Sequence, residues 1–143
     1  MILFNEKQLN IDYISGEIWA VIPNYSNYLI SNYGRIFSFK RKVIKHKKKS
    51  FKKKHKRTKK VLYLRTRLID DNGKLSNSLY IHRIVAEVFC DNSAPDIKTE
   101  VHHINCNSLD NRAENLEWLT PEEHREKHKQ LRKTQKESES NEA

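Results

Sequence analysis

Four of the seven histidines fall within 27 consecutive residues and form two close pairs. His102 and His103 are adjacent in an apolar stretch, and His124 and His128 are four residues apart. Neighbours on a strand point to opposite faces unless a bulge splays them, whereas residues four apart share one face of a helix. One histidine of the first pair could therefore bind a metal ion while its neighbour addresses a water molecule. The second pair could hold the same ion.

Spacing alone leaves two other interpretations open. A pair of histidines four apart on a polar helix is often simple solvated surface. A structural zinc site is the second alternative, and it needs a closed shell of four ligands, which here means three histidines plus Cys106 or Cys90. His46 and His55 lie in a lysine-rich run and are interpreted as bystanders.

The elements around the histidine pairs read as a strand near 101–104, a loop rich in Asn and Asp, and a second strand at 116–119. The tetrapeptide Thr-Pro-Glu-Glu at 120–123 is a strong helix start, with Thr as N-cap and Pro at the first helical position. This helix is predicted to end near residue 133, and its only sizeable apolar residue is Leu131. A hydrophobic face cannot hold such a polar helix, so a metal ion joining it to the strand would supply the anchor.

The part of the chain upstream of these histidines is predicted to be mainly β structure. Short strands are expected at 28–31, 35–39, 61–69 and 75–80. Gly34 would supply the positive φ of one tight turn, and the sequence Asp71-Asn72-Gly73 is a hairpin signal. The apolar residues of Ile81–Phe89 recur at helical spacing, which predicts an amphipathic helix.

The positive charge is concentrated in one segment. The 143 residues carry 28 Lys and Arg against 18 Asp and Glu, and 14 of the basic residues lie at 40–60 without a single acid. Such a run is predicted to be a flexible loop whose partner is a polyanion, with nucleic acid the first candidate. A solubilising or localisation-type run is the alternative, and a membrane surface is disfavoured because the run has no apolar face.

Length and composition narrow the class of protein. A chain of 143 residues allows one domain with a small appendage and excludes a large multidomain enzyme. Two cysteines are too few for a disulfide framework, no apolar run reaches about 18 residues, and the first residues show no signal-peptide pattern. The expectation is a soluble protein in a reducing compartment, with no membrane partner.

Two motifs resemble those of a known family. The segment VHHINCNSLDNRAENLEWLTPEEHREKH resembles the HNH motif, the ββα-metal or His-Me finger unit of homing endonucleases and colicin-type DNases. YIHRIVAEVF and, further upstream, EIWAVIPNYSNYLISNYGRIFS resemble the NUMOD-type DNA-binding segment of phage and intron endonucleases. The resemblance implies an α+β fold in which a small antiparallel sheet precedes the ββα unit.

The corresponding domain organisation has four parts. Residues 1–16 would be a lead-in, 17–80 a β-rich DNA-binding segment with the basic insert at 40–60, 81–133 the HNH nuclease unit, and 134–143 a disordered tail.

The resemblance also implies roles for individual residues. His103 matches the first letter of HNH, the general base, and Asn115 matches the middle letter, which fixes the loop and orients the base. We expect the amide oxygen of Asn115 to accept a hydrogen bond from His103, which leaves the other imidazole nitrogen bare for a water molecule. Asn111 is a rival for the middle letter, but its place inside the loop favours a bracing role.

The family pattern places one divalent metal ion among three histidines. His124 matches the last letter of HNH, His102 precedes the base where relatives carry a second ligand, and His128 matches a further histidine of the colicin-type enzymes. Mg²⁺ is the expected working ion, and Zn²⁺, Ni²⁺ and Mn²⁺ remain possible for a site this rich in histidine. Relatives usually have Asp-Gly where this chain has Asn105-Cys106, so the loop turn is expected to differ.

Double-stranded DNA is the partner that the resemblance implies. The DNA-binding candidates are Arg35, Arg65, Arg67 and the run lysines Lys47, Lys48, Lys49, Lys52, Lys53 and Lys54. The expected activity is metal-dependent cleavage of phosphodiester bonds, mainly nicking, by a monomer or weak dimer that leaves 5′-phosphate and 3′-hydroxyl ends. The expected location is the cytoplasm of a bacterium or phage-infected host cell. The alternative function is a non-catalytic nucleic-acid-binding protein that retains the HNH scaffold.

Overall fold

The structure is a computed structural model, and it describes residues 3–4, 9–12, 14–45, 48–52 and 61–141. Its strands are β1 (Leu3–Phe4), β2 (Trp19–Ile22), β3 (Tyr25–Ser31), β4 (Ile36–Ser38), β5 (Val43–Lys45), β6 (Lys48–Lys52), β7 (Val61–Thr66), β8 (Leu79–Tyr80), β9 (Glu100–His103) and β10 (Leu116–Leu119). The main helices are α1 (Ile81–Phe89) and α2 (Pro121–Asn141). The α+β class is confirmed. No helix in the described ranges is both long and apolar enough to cross a membrane.

The strands form three antiparallel sheets. Strands β1 to β5 pair in chain order, β6, β7 and β8 form a second sheet, and β9 pairs with β10. Tight turns with positive φ at Asn24 and Gly34 join β2 to β3 and β3 to β4. The hairpin signal at Asp71-Asn72-Gly73 is confirmed, since Ile69 bridges to Leu75 across it.

Helix α1 lies at the centre of the main hydrophobic core. Its residues Ile81, Ile84 and Val85 are buried, as its apolar spacing predicts. They pack with buried residues from the upstream sheets and from the β9–β10 hairpin, namely Ile22, Ile30, Ile36, Leu68, Val101 and Leu116. The β-rich segment and the ββα unit therefore share one core, which fixes their relative position.

The basic run contains two strands, so the prediction of a flexible loop is wrong for the residues that the structure describes there. Strand β5 pairs with β4, and β6 pairs with β7. The backbone ladder offsets the repulsion between like charges, and lysines are typical of such edge strands because they discourage pairing with other chains. Lys47, Lys53, Lys54 and the rest of 53–60 lie outside the described residues.

Helix α2 continues eight residues beyond its predicted end. The tail prediction is therefore wrong for 134–141, and residues 142–143 lie outside the described residues. No Gly or Pro interrupts this stretch, and the hydroxyl groups of Ser138 and Ser140 donate to carbonyls three residues back, at 2.8 and 2.9 Å. Polar composition suggested disorder, but helix propensity and local hydrogen bonds favour continuation.

Candidate metal centre and active site

A capping box turns the chain from β10 into α2. Glu123 N donates to the hydroxyl of Thr120 (3.1 Å), and the Glu123 carboxylate accepts from Thr120 N (2.8 Å). This bond to the Thr120 backbone lowers the pKa of Glu123. The predicted helix start is confirmed, and it directs the first turns of α2 along the β9–β10 hairpin.

Three histidines form a cluster between β9 and α2, called here the histidine trio. His102 is buried, His124 is half-buried and His128 is exposed, and one nitrogen from each lies within 4.8 Å of the others. The Nε2 atoms of His124 and His128 are 3.1 Å apart. Burial, followed by the charges of His124 and His128, lowers the pKa of His102 to about 4.

The trio has the chemistry of a metal site. A cation requires neutral imidazoles, and the depressed pKa of His102 keeps that ring neutral at physiological pH. The alternative of a fourth cysteine ligand is not supported within the described residues, because the cluster contains histidines alone. Cys90 Sγ instead lies near two backbone carbonyl oxygens, and Cys106 is exposed.

Glu100 orients one member of the trio. Its carboxylate lies 2.5 Å from His124 Nδ1, so His124 Nε2 is turned toward the other two rings. A carboxylate behind a histidine in this way fixes the tautomer and the orientation of the ring. The sequence prediction missed this residue. The signal was present, because Glu100 and His102 are two apart on β9 and therefore face the same side.

We expect Glu100→Gln to weaken metal binding by about 10- to 100-fold, because an amide supports the imidazole less well than a carboxylate. Calorimetric titration with Zn²⁺ measures the change. Glu114→Gln is the matched control: Glu114 pairs with Arg112 on the loop surface and lies outside the trio. Equal affinities for the Glu100 variant and the wild type would contradict this role.

His103 is buried on the other side of β9. Its Nε2 donates to Asn111 Oδ1 at 2.9 Å, which leaves Nδ1 as the bare nitrogen. Its ring packs against His82 and Tyr63, with ring centroids 5.0 and 6.3 Å away. Burial lowers the pKa of His103, and the hydrogen bond to Asn111 offsets part of this effect.

The predicted hydrogen bond between Asn115 and His103 is wrong. Asn115 Oδ1 accepts from Asn105 N, and its Nδ2 donates to Asn105 Oδ1 and to the Asp110 carbonyl, each at 2.9 Å. Asn115 thus braces the loop, and Asn111 contacts His103, which reverses the predicted contacts. Sequence position alone could not show which amide reaches the imidazole. The catalytic importance of Asn115 stays a prediction.

The loop between β9 and β10 is held by polar contacts. Asp110 accepts two hydrogen bonds from the Arg112 guanidinium, each 2.9 Å long, which lower the pKa of Asp110 to about 2. Cys106 has a positive φ of 61° and its N donates to the His103 carbonyl at 2.9 Å. The loop therefore makes a left-handed turn with a residue that carries a Cβ atom.

Replacing Cys106 by glycine should stabilise the protein by about 1 kcal/mol, because only glycine adopts positive φ without steric cost. In a domain of this size the midpoint of thermal unfolding should rise by about 2–4 °C. Cys106→Ala removes the thiol but keeps the Cβ, so it should give no such gain. A glycine variant no more stable than the alanine variant would show that the turn carries no strain.

Arg35, predicted to contact DNA, is bound within the protein instead. Its guanidinium pairs with the buried carboxylate of Glu17, donates to the Asp12 carbonyl at 3.0 Å and lies over the Trp19 ring. Hydrogen bonding to Glu17 raises the pKa of Arg35. A phosphate contact would have to compete with this pair, and the DNA-binding role of Arg35 stays a prediction.

The other predicted DNA contacts that the structure describes lie on or beside the second sheet. Arg65 lies over the Tyr80 ring, 5.7 Å from its centroid, and Arg67 is exposed with its Nε 3.0 Å from the Ser76 carbonyl. Lys48, Lys49 and Lys52 lie on β6, in which Lys48 is opposite Arg65. These assignments stay predictions.

The histidine trio joins a β-hairpin to a helix, and a further imidazole, that of His103, is bound to the Asn111 amide oxygen on the opposite face of β9. This arrangement is that of the ββα-metal class. Residues 79–126 match the sequence model of the HNH endonuclease family, and residues 17–68 match that of the NUMOD4 motif. The chain therefore carries an HNH endonuclease domain preceded by a NUMOD4 motif, as the sequence predicted.

The proteins to which the chain is similar include viral and phage endonucleases. The chain is 37% identical over 112 residues to an uncharacterized HNH endonuclease of Acanthamoeba polyphaga mimivirus. The alignment covers 75% of this chain and 25% of that protein. It is 32% identical over 110 residues to the H-N-H endonuclease F-TflII of Escherichia phage T5, covering 76% and 51% respectively. The chain thus spans at most about half the length of these relatives.

A solved structure describing DNA binding and cleavage by the HNH homing endonuclease I-HmuI is also similar. It aligns with a TM-score of 0.63 at 26% sequence identity, over 85% of this chain and 66% of that one. An alignment over 85% of the chain must include residues of both the NUMOD4 match and the HNH match, because neither match alone is that long.

Proposed function

We propose that this protein is a metal-dependent DNA endonuclease that hydrolyses phosphodiester bonds. The observation that carries the proposal is that two adjacent histidines of β9 have different surroundings on its two faces. His102 belongs to the histidine trio, whereas His103 binds Asn111 through one nitrogen and keeps the other bare. The HNH family match to the same residues supports this chemistry.

In this proposal His103 is the general base. Its Nδ1 accepts a proton from the attacking water, and the Asn111 amide oxygen holds the ring in the tautomer that leaves Nδ1 bare. Because burial lowers the pKa of His103, the ring is neutral and able to accept a proton at neutral pH. Asn115 preserves this arrangement indirectly by holding the loop that carries Asn111.

The trio would hold one divalent cation. When bound, the cation supplies charge neutralisation for the scissile phosphate and the departing oxygen. The donors favour Zn²⁺ or Ni²⁺ over the Mg²⁺ expected from sequence, because Mg²⁺ prefers oxygen ligands and the cluster consists of three imidazoles. A panel of metal ions at equal free concentration tests this order.

We propose double-stranded DNA as the substrate and nicking as the outcome, since one active site cuts one strand. A supercoiled plasmid incubated with Zn²⁺, Ni²⁺, Mn²⁺ or Mg²⁺, and with EDTA, tests both points on one gel. The expected result is conversion to the nicked circle that EDTA abolishes. Absence of cleavage with every metal, alongside retained DNA binding, would favour the non-catalytic alternative.

The run lysines should contribute phosphate contacts that do not read sequence. Replacing Lys47, Lys48, Lys49, Lys52, Lys53 and Lys54 with glutamine should weaken DNA binding and flatten its salt dependence by about 0.9 in log–log slope for each phosphate that the protein no longer neutralises. Substitution is preferred to deletion because β5 and β6 lie in this run. Glutamine at Lys129, Lys133 and Lys136 of α2 removes three positive charges elsewhere and is the control, with the slope change compared per charge removed. An unchanged slope would contradict the DNA-binding role, provided Zn²⁺ affinity shows the trio intact.

A further inference from the structure

Four rings from different elements converge next to the base proposed above. Tyr63 of β7 lies 5.7 Å from Tyr80 of β8, 5.3 Å from His82 of α1 and 6.3 Å from His103 of β9, measured between ring centroids. His82 and His103 are themselves 5.0 Å apart. Tyr63 lies within the residues that match the NUMOD4 motif, whereas His82 and His103 lie within the HNH match.

The rings of His82 and Tyr63 restrict the buried imidazole of His103 further. The described hydrogen bond of the His103 ring is the one to Asn111, which fixes the position of Nε2 but leaves the ring free to pivot about it. His82 and Tyr63 pack against this ring at the distances typical of aromatic pairs. Removing one of the two would let the bare Nδ1 change direction.

The position of Tyr63 also connects the base to the predicted DNA-binding surface. Tyr63 and Arg65 are two apart on β7 and so share a face, and Arg65 lies over the Tyr80 ring. Strand β6 of the basic run pairs directly with this part of β7, with Ser50 opposite Tyr63. Tyr63 is only half-buried, and burial raises the pKa of its hydroxyl. Tyr63 thus lies where the basic strand adjoins the rings around His103.

We infer that Tyr63 is a positioning residue for His103, so that the NUMOD4 segment helps to hold the proposed base in its orientation. This inference rests on the proposed endonuclease function. It assigns the NUMOD4 segment a part in the geometry of cleavage beyond any contribution to DNA affinity. The ring of Tyr63, rather than its hydroxyl, carries the effect.

Single-turnover cleavage at saturating DNA tests the inference with Tyr63→Ala and Tyr63→Phe. The alanine variant should lose about 10- to 100-fold in the cleavage rate constant, since a small misplacement of a reacting group has effects of this size. Its Kd for DNA and for Zn²⁺ should change less than about twofold, which is within about 0.4 kcal/mol. Phenylalanine should restore the rate. Tyr25→Ala is the control, because Tyr25 is a partly buried tyrosine on the main core and is part of none of the four-ring contacts.

Nuclear magnetic resonance of the imidazole nitrogens gives a second readout that does not need cleavage. All three proteins should show His103 with Nε2 protonated and Nδ1 bare, because Asn111 sets the tautomer. The His103 signals should be sharp in the wild type and Tyr63→Phe and broadened by ring motion in Tyr63→Ala. If alanine prevents folding, Tyr63→Leu replaces it, since leucine keeps an apolar side chain on β7.

Three results would overturn the inference. These are a wild-type rate in Tyr63→Ala, a loss shared equally by Tyr63→Phe, and a loss matched by that in Tyr25→Ala. Failure of the proposed function has a different signature, because the wild type itself would then not cleave while the nitrogen spectra still reported the effect of Tyr63 on His103.

Discussion

Replacing His103 with alanine should lower the cleavage rate constant by about 10²- to 10⁴-fold, the usual contribution of a general base. The side chain is buried, its Nε2 is bound to Asn111, and its Nδ1 is the one nitrogen of the ring left to accept a proton. Alanine removes that acceptor and leaves the trio in place. Single-turnover cleavage under the metal that best supports the wild type measures the change.

The same preparation should bind DNA and Zn²⁺ as the wild type does, because His103 belongs to neither the trio nor the basic strands. His55→Ala is the matched control, being a histidine of the lysine-rich run, and it should cleave normally. Metal-dependent cleavage by His103→Ala at the wild-type rate would exclude His103 as the base. Loss of Zn²⁺ affinity would instead show that the substitution disturbs β9.

The elements with strong periodicity were predictable from the sequence. Helix α1 and strand β10 have the bounds that apolar spacing indicates, because each buries one defined face in the shared core. The two histidine pairs were also predictable, since the alternation of β9 separates His102 from His103 and the helical repeat joins His124 to His128. These features depend on backbone geometry alone.

Contacts within loops were not predictable in the same way. Asn111 and Asn115 are both amides near His103, and only the folded loop shows that Asn111 reaches the ring while Asn115 holds the loop backbone. Arg35 was similarly ambiguous, because a basic residue beside a turn serves equally well in an internal pair or on a phosphate. Its partner Glu17 is distant in sequence and adjacent in space.

The strands of the basic run and the C-terminal part of α2 were not predicted, because their charged and polar composition indicated disorder. Side-chain repulsion is visible in the sequence, whereas the backbone pairing of β5 and β6 and the serine hydrogen bonds of α2 are not. Lys48 and Lys49 look like loop residues by composition, yet their strand pairs with β7 along its length. Composition therefore did not predict the conformation of this run, and the affinity for polyanions that it indicates stays a prediction.

Removing bound metal should loosen the attachment of α2 and lower the stability of the whole protein. None of the 21 residues of α2 is buried, and an isolated helix is marginal in water. Its described attachments include the capping box, the Lys127–Glu117 pair, the contact of His124 with Glu100, and the trio. A cation shared by His102, His124 and His128 would join two turns of α2 to β9, so its loss removes the strongest of these links.

Titration with Zn²⁺ of protein first treated with a chelator should therefore raise both the helical circular dichroism signal at 222 nm and the unfolding midpoint. Free Zn²⁺ at 1,000 times its Kd should add about 4 kcal/mol to the free energy of unfolding. Hydrogen exchange should slow most in α2 near His124 and His128. His124→Ala should lose both responses, while Glu114→Gln, on the loop surface, should keep them. A wild type whose helicity and unfolding midpoint ignore Zn²⁺ would show that the trio does not anchor α2, and the polar helix would then be held by its cap and surface pairs alone.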